Sequence, residues 1–209
     1  MYRDQPMKKY LDDAAAAIPA PGGGSISALA GALAAAMGCM AAGFTVGKKK
    51  FESVEPEAKR LLAELEGVRA ELLDLAEEDV TVYGPVLDAS RMPNATKEEK
   101  AARQAAMQCA LVAAMQVPVK TIRACGRSLK ALERLVEIGN PNLIGDVAVS
   151  TILSEAALRG AAAIVETNLK WLKDETLVRE TRAEVEQAAD SASKAAGEVL
   201  AKVKAISGR

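Results

Sequence analysis

Leu61-Leu62-Ala63-Glu64-Leu65-Glu66-Gly67-Val68-Arg69-Ala70-Glu71-Leu72-Leu73-Asp74-Leu75 is the stretch from which the fold can be read. Its apolar residues Leu61, Leu65, Val68, Leu72 and Leu75 step by 4, 3, 4 and 3, and Asp79, Val82 and Val86 continue the alternation. That spacing keeps one stripe on one side of an α-helix, whereas a half-buried strand would alternate every second residue. The stretch therefore predicts a helix that starts at Ser53 to Pro56, reads to about Met92 and is ended by Pro93-Asn94.

The same reading extends in both directions. Downstream, Thr96 with Glu99 three residues on is a capping box. It opens a second stripe of Leu111, Met115, Pro118, Ile122, Cys125, Leu129, Leu132 and Val136, with a kink expected at Pro118. Gly139-Asn140-Pro141-Asn142 closes that helix, and two more are expected over about 143–172 and 175–206. Upstream, Asp4 and Pro6 mark a helix to about Ile18, which Pro19-Ala20-Pro21-Gly22-Gly23-Gly24-Ser25 breaks. Ile26 to Gly47 then runs without a charge until Lys48-Lys49-Lys50. The expectation is an all-α chain, one domain over 1–209, folded as a bundle of about six mostly long helices.

Composition agrees with this. Apolar residues make up 50% and aromatics 3%, which suits closely packed helices and is poor for strands. The net charge of −1 argues against a general nucleic-acid or membrane-surface binder. The uncharged run is long enough to span a bilayer, but it is mostly Ala, Gly and Ser. Small residues at spacing four (Gly24, Ala28, Ala32, Ala36) predict instead a central helix that neighbours approach on nearly all sides. The three cysteines, Cys39, Cys109 and Cys125, show no CxxC spacing and are expected to be buried reduced thiols, with no metal site. The N-terminus lacks a signal-peptide layout, so a cytoplasmic location is expected. With no histidine, any chemistry falls to carboxylates, lysines, hydroxyls and backbone dipoles.

Four constellations could carry such chemistry. Gly22-Gly23-Gly24-Ser25 opens a helix, with Ser25 as a candidate cap and free N–H groups suited to an anion. Asp79 occupies a core slot of the heptad stripe, with Tyr83 one turn on along the same face, so its carboxylate must be paired, desolvated or functional. Asn142 and Asp146 lie one turn apart, where they could hydrogen-bond a planar heterocycle or simply cap a helix. Lys48, Lys49 and Lys50 fan around a helix end, where they could simply be solvated, or one could face inward as an anion contact or proton donor.

Together these segments resemble the formiminotransferase-cyclodeaminase C-terminal domain and its stand-alone relatives. The most specific match is Pro21-Gly22-Gly23-Gly24-Ser25 with Ala28-Leu29-Ala30-Gly31-Ala32-Leu33, continuing through Thr45-Val46-Gly47-Lys48-Lys49-Lys50-Phe51. Asp79 with Tyr83, Asn140 to Asp146, Gly160-Ala161-Ala162 and Asn168-Leu169 match later segments; Gly145, Ile164 and Thr167 depart from the pattern. The resemblance implies a dimeric helical enzyme acting on a one-carbon unit between N5 and N10 of tetrahydrofolate, with no metal or redox cofactor. Two reactions follow from it. One is hydrolysis of 5,10-methenyltetrahydrofolate to 10-formyltetrahydrofolate, favoured because no transferase domain lies within these 209 residues. The other is cyclodeamination of 5-formiminotetrahydrofolate with release of ammonia. In this reading Asp79 is the general base and counter-ion, and Lys49 donates a proton or stabilises an oxyanion. Asp146 and Asn142 hold the pterin, while Gly22 to Ser25, Lys48 and Tyr83 contact the substrate. A non-catalytic helical scaffold is the competing class. It expects Asp79, Asp146 and Gly22–Ser25 to lie apart, where the enzyme reading expects one cleft, within a chain or across a dimer.

Overall fold

The computed structural model describes residues 1–208. Six α-helices follow in order: α1 Met7–Ala14, α2 Gly23–Gly43, α3 Glu55–Arg91, α4 Lys97–Ile138, α5 Ile144–Leu169 and α6 Glu175–Ser207. Short 3-10 turns occupy Tyr2–Asp4, Lys49–Val54 and Pro141–Leu143, and the described residues contain no strand.

The two heptad stripes form the core. Leu61, Leu65, Val68, Leu72 and Leu75 of α3 are buried, as is every member of the α4 stripe from Leu111 to Val136. The stripes pack α3 against α4, and α2 and α5 complete a four-helix body on which α6 lies along α4 and α5. Thr96 makes the expected capping box, its Oγ1 accepting from Glu99 N–H at 3.1 Å while Glu99 Oε2 accepts from Thr96 N–H at 3.0 Å. Pro118 sits buried within an unbroken α4, and a second proline, Pro85, lies inside α3.

Small residues let α2 sit deep among its neighbours. A Cβ added at Gly31 would lie 2.9 Å from Cys125 Sγ, and one at Gly38 would lie 3.1 Å from Leu65 Cδ1. Buried hydroxyls fasten the contacts. Ser150 Oγ donates to the Ala34 carbonyl at 2.7 Å, and Ser128 and Ser154 share a hydrogen bond across α4 and α5.

Several expectations need correction. The first helix ends at Ala14, not Ile18, because the alanines before Pro19 already turn away. α2 starts three residues before a Ser25 cap would place it and its N-cap is Gly22, so Ser25 is no cap. Its hydroxyl is fully buried and donates to the Ala76 carbonyl at 2.8 Å, with Tyr10 Oη also 2.8 Å away. Nor is α2 covered on all sides, since Ile26, Leu33 and Phe44 are exposed, as are Val149 and Ile152 on α5. Of the cysteines only Cys125 is buried, its thiol pushed up to about 12 by that burial; Cys39 is half-buried and Cys109 exposed, all three free.

Stretches within Gly23–Gly43, Lys97–Ile138 and Pro141–Leu169 are long and apolar enough to cross a membrane by length and composition. Each also turns buried serines toward the other helices of the bundle, among them Ser25, Ser128 and Ser154.

Candidate active site

α2 begins at the glycine break, so its free N–H groups point toward the C-terminal half of α3. There Asp79 places a carboxylate oxygen 2.8 Å from Ser25 N–H. The helix dipole and this bond favour the charged carboxylate, while burial opposes it. Burial prevails, and the Asp79 pKa is raised above the ordinary carboxylate value. Gly24 makes the approach possible: a Cβ at that position would lie 2.1 Å from Asp79 Oδ1 and 2.6 Å from its Cγ.

Around this carboxylate lies a cavity of about 200 Å³, lined by Pro19, Ala20, Gly22, Gly23, Gly24, Asp79, Tyr83, Val86, Leu111, Ala114, Ile164 and Asn168. Asp79 supplies the carboxyl group among these residues, and Tyr83, Asn168 and the backbone supply the other polar atoms. The walls are otherwise apolar, so a cation entering here meets a negative charge in a region poor in water. The arrangement suits a base or counter-ion for a positively charged, planar group.

Of the residues singled out from the sequence, Gly22, Gly23, Gly24, Asp79 and Tyr83 share this cavity. Ser25 contributes its backbone N–H alone. Lys48, Lys49, Asn142 and Asp146 lie at the opposite end of the molecule. Asn140 N–H donates to Thr45 Oγ1 at 3.0 Å, which ties the start of α5 to the end of α2. The physical reason is the length of the helices. The 21 residues of α2 separate its ends by about 30 Å, and the turns between Asp146 and Asn168 separate those two by about 33 Å along α5. The expected single cleft therefore does not form within one chain. The lysines also leave the helix instead of ending it: Gly47, at φ +71, turns the chain out, Lys48 is extended, and all three lysines are exposed.

Ile164 and Asn168 line the cavity but were not proposed for it, and neither was Tyr10, which braces Ser25. Ile164 and Asn168 are one turn apart on α5, and that spacing is the signal available in the sequence. Tyr10 follows no pattern that points to Ser25.

The buried carboxylate has a consequence for stability. A carboxyl group whose pKa is raised on folding costs the native state free energy once it ionises, from about its ordinary value of 3.8 upward through the raised one. Asp79→Asn is therefore expected to gain thermal stability over the wild type as pH rises through that window, with no difference below it. Melting temperatures of both proteins measured across acid to neutral pH check this; a wild type that gains on the variant as pH rises would contradict it.

The family model for formiminotransferase-cyclodeaminase matches residues 6–187. A methenyltetrahydrofolate cyclohydrolase of Methylorubrum extorquens is 38% identical over 186 residues, covering 89% of each chain. The formimidoyltransferase-cyclodeaminase of Rattus norvegicus is 29% identical over 202 residues, and this chain spans 37% of its length. The crystal structure of formiminotetrahydrofolate cyclodeaminase from Thermotoga maritima superposes with a TM-score of 0.89 at 31% identity, over 99% of both chains. A match this extensive in sequence and in backbone, around a glycine-cradled carboxylate, shows that the chain belongs to the formiminotransferase-cyclodeaminase family.

Proposed function

We propose that this protein is a methenyltetrahydrofolate cyclohydrolase, converting 5,10-methenyltetrahydrofolate and water to 10-formyltetrahydrofolate and a proton. The observation that carries the reading is the Asp79 carboxylate, held by Ser25 N–H in an apolar cavity, because the substrate is a cyclic amidinium cation. Resemblance along 89% of both chains to a protein of that name supports it. Water adds to the carbon between N5 and N10 while Asp79 accepts one of its protons. The N5–carbon bond of the tetrahedral adduct then breaks, N5 takes up a proton and the second is released. Neither step changes an oxidation state, and the reading assigns no metal or redox cofactor.

The same tetrahedral carbon would serve the cyclodeaminase reaction, which the Thermotoga maritima relative's name favours. Offering the purified protein both substrates separates the two. The cyclohydrolase consumes the near-ultraviolet absorbance of the methenyl compound, whereas the deaminase releases ammonia from the formimino compound.

The working form in this reading is a soluble, cytoplasmic homodimer. The support for a dimer is the exposed apolar stripe of Ile26 and Leu33 on α2 and Phe44 at its end, beside Val149 and Ile152 on α5. A two-fold axis midway along α2 covers this face and sets Ile26 against the partner subunit's Phe44. The end of α2 that carries Lys48 and Lys49, with Asn142 and Asp146 beside it, then comes to the partner's Asp79 cavity. There Lys49 would donate a proton or stabilise an oxyanion, Lys48 would meet anionic groups, and Asn142 and Asp146 would hold the pterin. Mixing inactive Asp79→Asn and Lys49→Ala chains is expected to restore about a quarter of wild-type activity, since half of the mixed dimers' sites are intact. A mixture as inactive as its components would contradict the shared site.

A further inference from the structure

The glycines that let α2 approach Asp79 also leave its first turn without an anchor. Gly22, Gly23 and Gly24 carry no side chain that could hold the turn in place. Ser25 is the first residue of α2 that has one, and it is fully buried. It grips a single turn of α3 twice. Its N–H donates to Asp79 Oδ2 at 2.8 Å, and its Oγ donates to the carbonyl of Ala76, on the same turn, at 2.8 Å. The one hydrogen of that hydroxyl is committed to Ala76, so in the 2.8 Å contact between Ser25 Oγ and Tyr10 Oη the phenol is the donor. Burial pushes the Tyr10 pKa up, which keeps the phenol protonated for that task. Bonds joined in such a chain polarise one another, so the Tyr10 hydroxyl strengthens the hold of Ser25 on α3.

Tyr10 is also the one buried residue of α1, a helix of eight residues whose other side chains are exposed or half-buried. The segment before α1 clamps it down. Tyr2 meets the Tyr10 ring edge-on, 5.1 Å between centroids, and donates to Asp13 Oδ2 at 2.7 Å. Arg3 bonds Glu77 of α3 through its N–H and Asp74 through its guanidinium, the latter at 2.6 Å. So short a helix is marginal by itself, and its attachments converge on the placement of one phenol.

We propose that Tyr10 is a positioning residue for the reaction: by holding Ser25 it fixes the N–H that aims the Asp79 carboxylate into the cavity, and α1 with the segment before it serves to deliver that one hydroxyl. The catalytic consequence rests on the reading of Asp79 as the base in folate turnover. The groups near Asp79 are Tyr10 from α1 and Tyr83 and Glu77 from α3, the last bonded to Arg3 N–H. The residues that α2, α4 and α5 place around the carboxylate in the cavity carry no charge, so the Ser25 N–H is the contact that favours its charged form.

The test is a double-mutant cycle of Tyr10→Phe and Ser25→Ala, each of which removes one hydroxyl and leaves the ring or the helix in place. Each single variant is expected to lower kcat about 10-fold with little change in KM, and the double variant to be no slower than Ser25→Ala, because Tyr10 acts through Ser25. Carbon-13 NMR of the Asp79 carboxyl, assigned by its absence from Asp79→Asn, supplies a readout without substrate. A loosened Ser25 N–H bond supports the charged form less, so the Asp79 midpoint, and the acid limb of kcat/KM with it, is expected to rise by about half a pH unit in both variants. Ser150→Ala is the control. It removes an equally buried hydroxyl that holds α2 by the Ala34 carbonyl, and it should lower the melting temperature while leaving the midpoint and kcat unmoved. An unmoved midpoint or a wild-type kcat in Tyr10→Phe, additive losses in the double variant, or the same shift in Ser150→Ala would overturn the proposal. A midpoint that rises in Tyr10→Phe, in a protein whose wild type turns over no methenylfolate, would leave the positioning of Asp79 standing and defeat the cyclohydrolase reading alone.

Discussion

Gly24→Ala is expected to cut turnover by about 100-fold while the protein stays folded. The added methyl carbon would lie 2.1 Å from Asp79 Oδ1, 2.6 Å from Cγ and 2.9 Å from Oδ2, all inside van der Waals contact. α2 cannot retreat, because Gly31 and Gly38 already seat it against Cys125, Leu72 and Leu65. The carboxylate must therefore swing away and give up its bond to Ser25 N–H. Alanine is by itself the better helix former by about 1 kcal/mol, so the loss of activity should come without a matching loss of stability. Gly67→Ala is the control. It lies in α3, a Cβ there meets nothing within 4 Å, and it should leave turnover unchanged. Steady-state rates and melting temperatures of the two variants check the prediction together, and full activity in Gly24→Ala would remove the cradle from the account.

Asp79→Asn is the second large effect, with turnover down about 100-fold or more. The amide keeps the shape and can still accept from Ser25 N–H, so the substitution removes the charge and the proton-accepting oxygen and little else. Both losses act on the same step. The amidinium carbon loses its counter-ion in a low-dielectric site, and the attacking water loses its base. Substrate affinity should fall as well, because the ground state already carries the positive charge. That pattern, a lower kcat together with a raised KM, would separate a residue that contacts the reacting group from one that merely braces the fold.

The helices were legible in the sequence because the buried faces of α3 and α4 contain stripes in 4 and 3 alternation, and because a proline or glycine marks most of the breaks. Asp79 stood out for the same reason, as a charge in an apolar slot with Tyr83 one turn on. What was harder to read is long-range. The lysines and Asp146 seemed to belong with Asp79, but α2 alone already holds the two groups about 30 Å apart. Ser25 has the residue type of a cap, yet its hydroxyl is taken by Ala76 and Tyr10, partners distant in the chain. The open stripe of Ile26, Leu33 and Phe44 hides in a run so rich in alanine that no face looks different from another. Ile164 and Asn168 reach the cavity because α5 runs antiparallel to α2, which only the packing reveals.

The most direct measurement of the central claim is the initial rate at which purified wild-type protein and Asp79→Asn remove the near-ultraviolet absorbance of 5,10-methenyltetrahydrofolate, compared with buffer alone. The account predicts rapid loss with the wild type, 10-formyltetrahydrofolate as the product, and a rate at least about 100-fold lower with the variant. Equal rates for the two proteins, or a wild type no faster than buffer, would contradict it.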